Sequence, residues 1–238
     1  MFHIGTAGWA LRSDLLTLFG GTGTHLERYA RHFNAVEVDS TFYRLPRPGT
    51  IERWAASTPP DFRFAVKMPK EITHVHRLVQ VSSGLKYFCD LLAHFGARCG
   101  PVLVQLPPSL AFSVSAEEAL EQLCELHAGP VVCEPRHASW STPEVEALLR
   151  RLRMGRVVAD PARGGDPGAP GGDRSTVYHR LHGSPRIYWS DYGEEELHRW
   201  AKAIASVQSE DHWVIFDNTA AGHAWPNALR MAELLRGR

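Results

Sequence analysis

The sequence predicts an α/β protein with the architecture of a TIM-like (β/α)8 barrel. Eight short runs rich in β-branched or aromatic residues recur along it, helical patterns lie between most of them, and its 238 residues approach the roughly 250 typical of that fold. The whole span 1–238 reads as one domain, with no repeat beyond the strand–helix unit. A doubly wound open sheet is the second architecture that this alternation permits.

The expected strands are 2–6, 35–39, 62–67, 102–106, 131–134, 156–160, 176–182 and 213–217. Their starts fall roughly every 30 residues, the length of a strand plus its crossover helix. After the first strand, Leu26, Tyr29, Ala30 and Phe33 form an apolar helical stripe. Leu120, Leu123, Cys124 and Leu126 form a second, and Leu197, Trp200, Ala201 and Ile204 a third, with a final helix over 227–235. One stretch breaks the rhythm: 161–173 holds five glycines and three prolines, so a mobile loop is expected there in place of one outer helix.

Composition narrows the function. Lys+Arg and Asp+Glu both number 26, so the chain as a whole has no electrostatic pull on nucleic acid or an anionic membrane. Cys89, Cys99, Cys124 and Cys133 form no CxxC pair and read as free thiols in a reducing compartment. No apolar run is long enough to span a bilayer, and the start lacks a secretory pattern; the cytoplasm is the expected location.

The informative residues are those that interrupt the apolar strands. Side chains alternate along a strand, so Val36 and Val38 share one face while Glu37 and Asp39 share the other. The same alternation pairs Ala65 with Lys67, Leu103 with Gln105, Glu134 with Arg136 and Val158 with Asp160, and aligns Tyr178, Arg180 and His182; Asp217 and Asn218 arrive as the last run stops. Parallel strands covered by helices are expected to be apolar on both faces. Charges at their C-terminal ends make either a salt-bridged plug or the site that barrel enzymes build there. The site is the favoured reading, because buried ion pairs are a poor source of stability.

Seven segments in order carry a family resemblance: IGTAGW, VEVDSTFYRLP, FAVKMPKEITHVHRL, GPVLVQLPPS, EPRHASW, YHRLHG and VIFDNTAAGHAWPNA. Nearly end to end, the chain resembles the YecE-like proteins of domain of unknown function 72. The resemblance implies a (β/α) barrel and supplies no established reaction. The departures are the 161–173 stretch and WALRSD, where the family often has an aromatic residue after the tryptophan.

The candidate catalytic residues are Glu37, Asp39, Lys67, Glu134 and Asp217. Candidate substrate-binding residues are Thr6, Trp9, Tyr43, His74, Arg77, Gln105, Arg136, His137, Arg180, His182 and Asn218, with Trp9, Phe42, Tyr43, Trp140 and Tyr188 as a possible apolar wall. A carboxylate-pair glycosidase is disfavoured, since Lys67, Arg136 and Arg180 would depress both acids. A Schiff-base role for Lys67 conflicts with nearby carboxylates that keep it protonated. His3, His74 and His182 offer ligands for a divalent metal, but no HxH or HExxH spacing occurs; no cofactor and no metal residue is assigned. The cations favour a small anionic or sugar-like ligand, gripped by Arg136 and Arg180, in an enzyme working by general acid–base chemistry. The alternative is a non-catalytic barrel that senses a metabolite or binds a partner or nucleic acid through a rim of Arg31, Arg44, Arg47, His76 and Arg77. Oligomeric state is not legible.

Overall fold

The computed structural model describes residues 1–164 and 168–236. Among these residues ten strands run in order: β1 (Phe2–Thr6), β2 (Ala35–Val38), β3 (Arg63–Lys67), β4 (Cys99–Gln105), β5 (Val131–Glu134), β6 (Met154–Arg156), β7 (Val158–Asp160), β8 (Gly171–Gly172), β9 (Thr176–Leu181) and β10 (Asp211–Phe216). Seven α-helices alternate with them: α1 (His25–Tyr29), α2 (Pro48–Ala56), α3 (Ser82–Leu92), α4 (Val114–Leu126), α5 (Pro143–Arg151), α6 (Glu194–Ser206) and α7 (Ala224–Arg236).

The strands form two sheets, β1-β10-β9-β7 and β2-β3-β4-β5-β6-β8. Every pairing is parallel except β6 with β8. At one junction Ala7 bridges Glu37 in parallel fashion, and the Gly8 amide donates to the Glu37 carbonyl at 2.8 Å. At the other, the chain passes from β6 to β7 through Val157, whose amide donates to the Cys133 carbonyl of β5. Thus the single strand expected over 156–160 is two short ones. The backbone bends at Val157 because β6 pairs with β5 while β7 pairs with β9.

Two apolar clusters occupy opposite faces of the strands. The larger joins Val36, Val38, Phe64, Val66, Val102, Val104, Val214 and Phe216 to the helix stripes. The smaller contains Ala35, Ala65, Leu103, Val132, Val157, Tyr178, Trp213 and Ile215, drawn from both sheets and from no helix. The alternation read from Val36 and Val38 against Glu37 therefore holds, and Glu37 stands above the smaller cluster. Local sequence sets the helix starts: Thr24 and Glu27 form a capping box on α1, Ser113 caps α4, and Thr142 followed by Pro143 opens α5.

Strand β4 starts three residues before the expected run, including Gly100 and Pro101. A Cβ on Gly100 would lie 2.6 Å from the Trp213 ring, so the strand reads as a turn in sequence while serving as floor space for an indole. The described part of 161–173 contains no helix. It does contain β8, where glycine lets the backbone approach Arg156 and the Met154 carbonyl closely enough to pair; residues 165–167 of the expected loop lie outside the described residues. No described helix is long and apolar enough to cross a membrane.

Candidate functional site

Above the smaller apolar cluster, strands β2, β5, β9 and β10 deliver charge to one point. Arg180, fully buried on β9, lies at its centre. Its Nε and Nη2 donate to Glu37 Oε2 and Oε1 at 3.0 and 2.7 Å, a bidentate pair. Nη1 donates to Glu134 Oε2 at 2.7 Å, and Nη2 also to Asp217 Oδ2 at 3.1 Å. The Tyr178 hydroxyl completes the floor by donating to Glu37 Oε2 at 2.8 Å.

A second layer opens outward from this floor. Glu134 Oε1 accepts from Arg136 Nε at 2.8 Å, and His182 Nδ1 stands 2.9 Å from Asp217 Oδ2. Lys67 Nζ donates to Asp39 Oδ1 at 2.7 Å and lies 4.4 Å from the centre of the Phe42 ring. Thr41 fixes that corner by donating to the Val38 and Lys67 carbonyls. Side-chain exposure rises from 0% at Glu37 and Arg180 to 11% at Arg136 and 30% at Asp39. The floor is sealed, and the rim is partly open.

The electrostatics follow from this geometry. Burial raises Glu37 above the usual carboxylate range, against the opposing pull of Arg180. Burial also acts to raise Glu134, but Arg180 and Arg136 more than reverse it and hold that carboxyl well below its ordinary value. Asp217 is lowered as well: burial opposes ionisation, and Arg180 and His182 overcome it. For His182, burial disfavours the cation, yet Glu134 and Asp217 raise its pKa. The His182 Nε2 atom is buried without a good hydrogen-bond partner among the described residues, its approach to Glu134 Oε1 being 3.5 Å.

Four of the candidate catalytic residues, Glu37, Glu134 and Asp217 directly and Asp39 at 4.0 Å, surround Arg180, and Lys67 joins through Asp39, Arg136 through Glu134 and His182 through Asp217. Gln105 is buried in register with Glu134. His74 is half-buried, its ring edge-on to Phe42, and burial, Lys67 and Arg136 lower its pKa.

Other candidates hold the frame. The Thr6 hydroxyl bonds the Gly8 carbonyl and the Tyr29 hydroxyl. Arg77 donates to Ser109, His137 caps the turn at Ser139, and Asn218 Nδ2 donates to Ser190 and Asn227. Trp9 packs edge-on to Trp54 and Phe64, while Tyr43 is 69% exposed beside Phe42. Trp140 is buried, its indole donating to the Leu110 carbonyl, and contributes no wall to the site. Of the possible nucleic-acid rim, Arg31 is bonded to the Gly20 and Thr22 carbonyls and Arg77 to Ser109. Asp160, paired in sequence with Val158, accepts from the Tyr192 hydroxyl on the helix-covered side instead.

One participant, Tyr178, was not among the sequence candidates for binding or catalysis, although it carried a signal, since it shares a strand face with Arg180. Tyr188, a candidate for the apolar wall, stands edge-on to His182 at 5.7 Å with φ of 70°.

Among the described residues, no group of three or more His, Cys, Asp or Glu is arranged to hold a metal ion. The point where Glu37, Glu134 and Asp217 converge is filled by the Arg180 guanidinium.

Comparison with known proteins agrees with this architecture. The family model described as "Protein of unknown function DUF72" matches residues 3–238. The UPF0759 protein YunF of Bacillus subtilis is 27% identical over 99% of this chain and 95% of its own length. The UPF0759 protein YecE of Escherichia coli K12 is 40% identical over a shorter stretch, 35% of this chain and 31% of its own length. Among solved structures, a DUF72 family protein from Thermotoga maritima has a TM-score of 0.80 at 26% identity, covering 99% of both chains. One from Enterococcus faecalis V583 has a TM-score of 0.84 at 21% identity, covering 99% of this chain and 96% of the other. A structure titled methyltransferase from Methanosarcina mazei shares the fold more distantly, with a TM-score of 0.59 at 9% identity. The YecE-like resemblance read from the seven segments is confirmed, and the chain belongs to the DUF72 family, with its barrel-like α/β fold.

Proposed function

We propose that this protein is an enzyme that binds a small anionic or sugar-like metabolite at the C-terminal mouth of a TIM-like barrel and acts on it by general acid–base chemistry. In this reading the two sheets are one barrel in one domain, joined at Ala7–Glu37 and through Val157. The cytoplasm is the proposed location, in keeping with the four free cysteines.

The observation that carries the function is the gradient from a sealed ionic floor to a partly open rim. Arg180 has its hydrogen bonds taken by carboxylates, so it positions Glu37, Glu134 and Asp217 rather than gripping a ligand. Lys67 and Arg136, facing the rim, supply the anion contacts. Asp39 beside Lys67, and Asp217 beside His182, are the two pairs placed to accept and return a proton. His182, raised by its acidic neighbours, holds its proton more readily near neutral pH than a free imidazole.

The test is a binding and turnover screen of small phosphates, carboxylates and sugars, read by thermal shift and product analysis. Lys67→Met and Arg136→Ala are expected to abolish the response while the fold survives. Binding without turnover of any bound compound would favour the sensing alternative. A response unchanged in both variants would overturn the placement of the site.

A further inference from the structure

Beside the charged rim, among residues that follow β1, β2 and β10, lies a pocket of about 500 Å³. That volume suits a small molecule. Its walls are mostly apolar, with Trp9 and Ala7 among them, and Asp39, Ser40 and Thr219 are the lining residues that carry side-chain oxygens. Those oxygens are largely uncommitted. Asp39 Oδ1 is taken by Lys67 at 2.7 Å, whereas Oδ2 accepts no hydrogen bond among the described residues, and the side chain is 30% exposed. The Ser40 and Thr219 hydroxyls also have no partner among the described residues, and neither residue is buried.

Charge narrows the occupant. Lys67 already neutralises Asp39, and Arg180 lies 4.0 Å from the same carboxylate oxygen, so a further cation would be repelled. An anion would face the open Asp39 oxygen. A neutral ligand remains, with an apolar face for Trp9 and hydroxyls for three oxygens, one of which can only accept. Trp9 is held edge-on to Trp54 and Phe64 and so presents a rigid ring.

We propose that this pocket is a sugar subsite, in which a neutral sugar ring lays its C–H face on Trp9 and donates a hydroxyl to Asp39 Oδ2. Ser40 and Thr219 bond neighbouring hydroxyls. Asp39 is the shared wall: Oδ1 orients the Lys67 ammonium and Oδ2 holds the ring. The assignment chooses the sugar within the ligand class read at the mouth. It rests on that reading only for the ring being part of a substrate.

The test uses the full chain with glucose, galactose, mannose, xylose, ribose and fucose. Benzoate and tetramethylammonium serve as charged controls, and methyl phosphate probes the mouth. Saturation-transfer NMR is expected to show at least one sugar bound, with the strongest transfer to its ring C–H protons. Ser40→Ala combined with Thr219→Val removes both hydroxyls outside the core and is expected to weaken that sugar about tenfold. Trp9→Leu keeps apolar bulk and removes the flat face, and is expected to abolish the transfer; should it fail to fold, the double variant decides. No sugar bound, or sugar binding indifferent to the double variant, overturns the subsite. So does displacement of the sugar by benzoate or tetramethylammonium at lower concentration than any competing sugar requires. Sugars failing while methyl phosphate binds overturns the subsite alone. Methyl phosphate failing while a sugar binds overturns the anionic mouth and leaves the subsite standing.

Discussion

The floor and the rim of the charged network are built from the same residue types and differ in what surrounds them. On the floor, Arg180 and Glu37 are wholly buried and Glu134 nearly so, and the Arg180 hydrogen bonds run to carboxylates. At the rim, Lys67, Arg136, Asp39 and Asp217 retain some exposure. Removing one partner of a buried pair strands the other charge in low dielectric, whereas a partly solvated pair relaxes into water. The same kind of ion pair is therefore sealed from water in one layer and partly solvated in the next.

The sharpest way to break this contrast is Arg180→Met. It leaves Glu37 buried without its cation and Glu134 with Arg136 alone, and a loss of about 3–5 kcal/mol in urea unfolding is expected, or failure to fold. Glu37→Gln is milder: Glu134 and Asp217 still hold Arg180, and about 2–3 kcal/mol is expected to be lost. A Glu37→Gln protein as stable as wild type would place the floor among pairs that contribute nothing.

Lys67→Met tests the rim. Its stability change is expected to stay within about 1 kcal/mol, because the methionine stem still packs on Phe42 and Asp39 can be hydrated. Ligand response is expected to disappear. A large stability loss with binding intact would invert the assignment of layers.

The pH dependence divides similarly. Glu134 and Asp217 are lowered in the folded state, so the stability they contribute is present above the ordinary carboxylate range and lost as pH falls through their folded values. His182 is raised, so its contribution is full below about pH 6.5 and declines as pH rises through its folded value. A His182→Gln variant is expected to lose that decline in a stability profile taken from pH 6 to 9. A separate effect, confined to acid pH, is expected at the far side of the strand layer. His179 is pushed down to about 4 chiefly by burial, so its neutral form is the folded one and acid weakens the fold as that value is approached. His179→Gln is expected to flatten this acid limb below about pH 6.5.

Much of the fold was legible because burial leaves a period in the chain. Val36 and Val38 against Glu37, and Tyr178 with Arg180, assigned strand faces correctly from alternation alone. Strand ends were less legible where tertiary contacts override local preference, as at Gly100 under Trp213 and at the Val157 bend. The candidate list gathered the network but also took in Thr6, Arg77, His137 and Asn218, whose side chains hold loops and backbone. Sequence places a polar residue at a strand end without saying whether its partner is another side chain, the backbone or a ligand.

By itself the sequence determined the strand–helix alternation, the family and the strand ends at which charge collects, because these depend on periodicity and local motif. Only the tertiary structure decided that Arg180 belongs to a sealed floor and Lys67 to a partly open rim, and that Trp225 lines a pocket beside Asp39. Those distinctions depend on solvent access and on partners distant in sequence, such as Glu37 to Arg180, which no local pattern encodes.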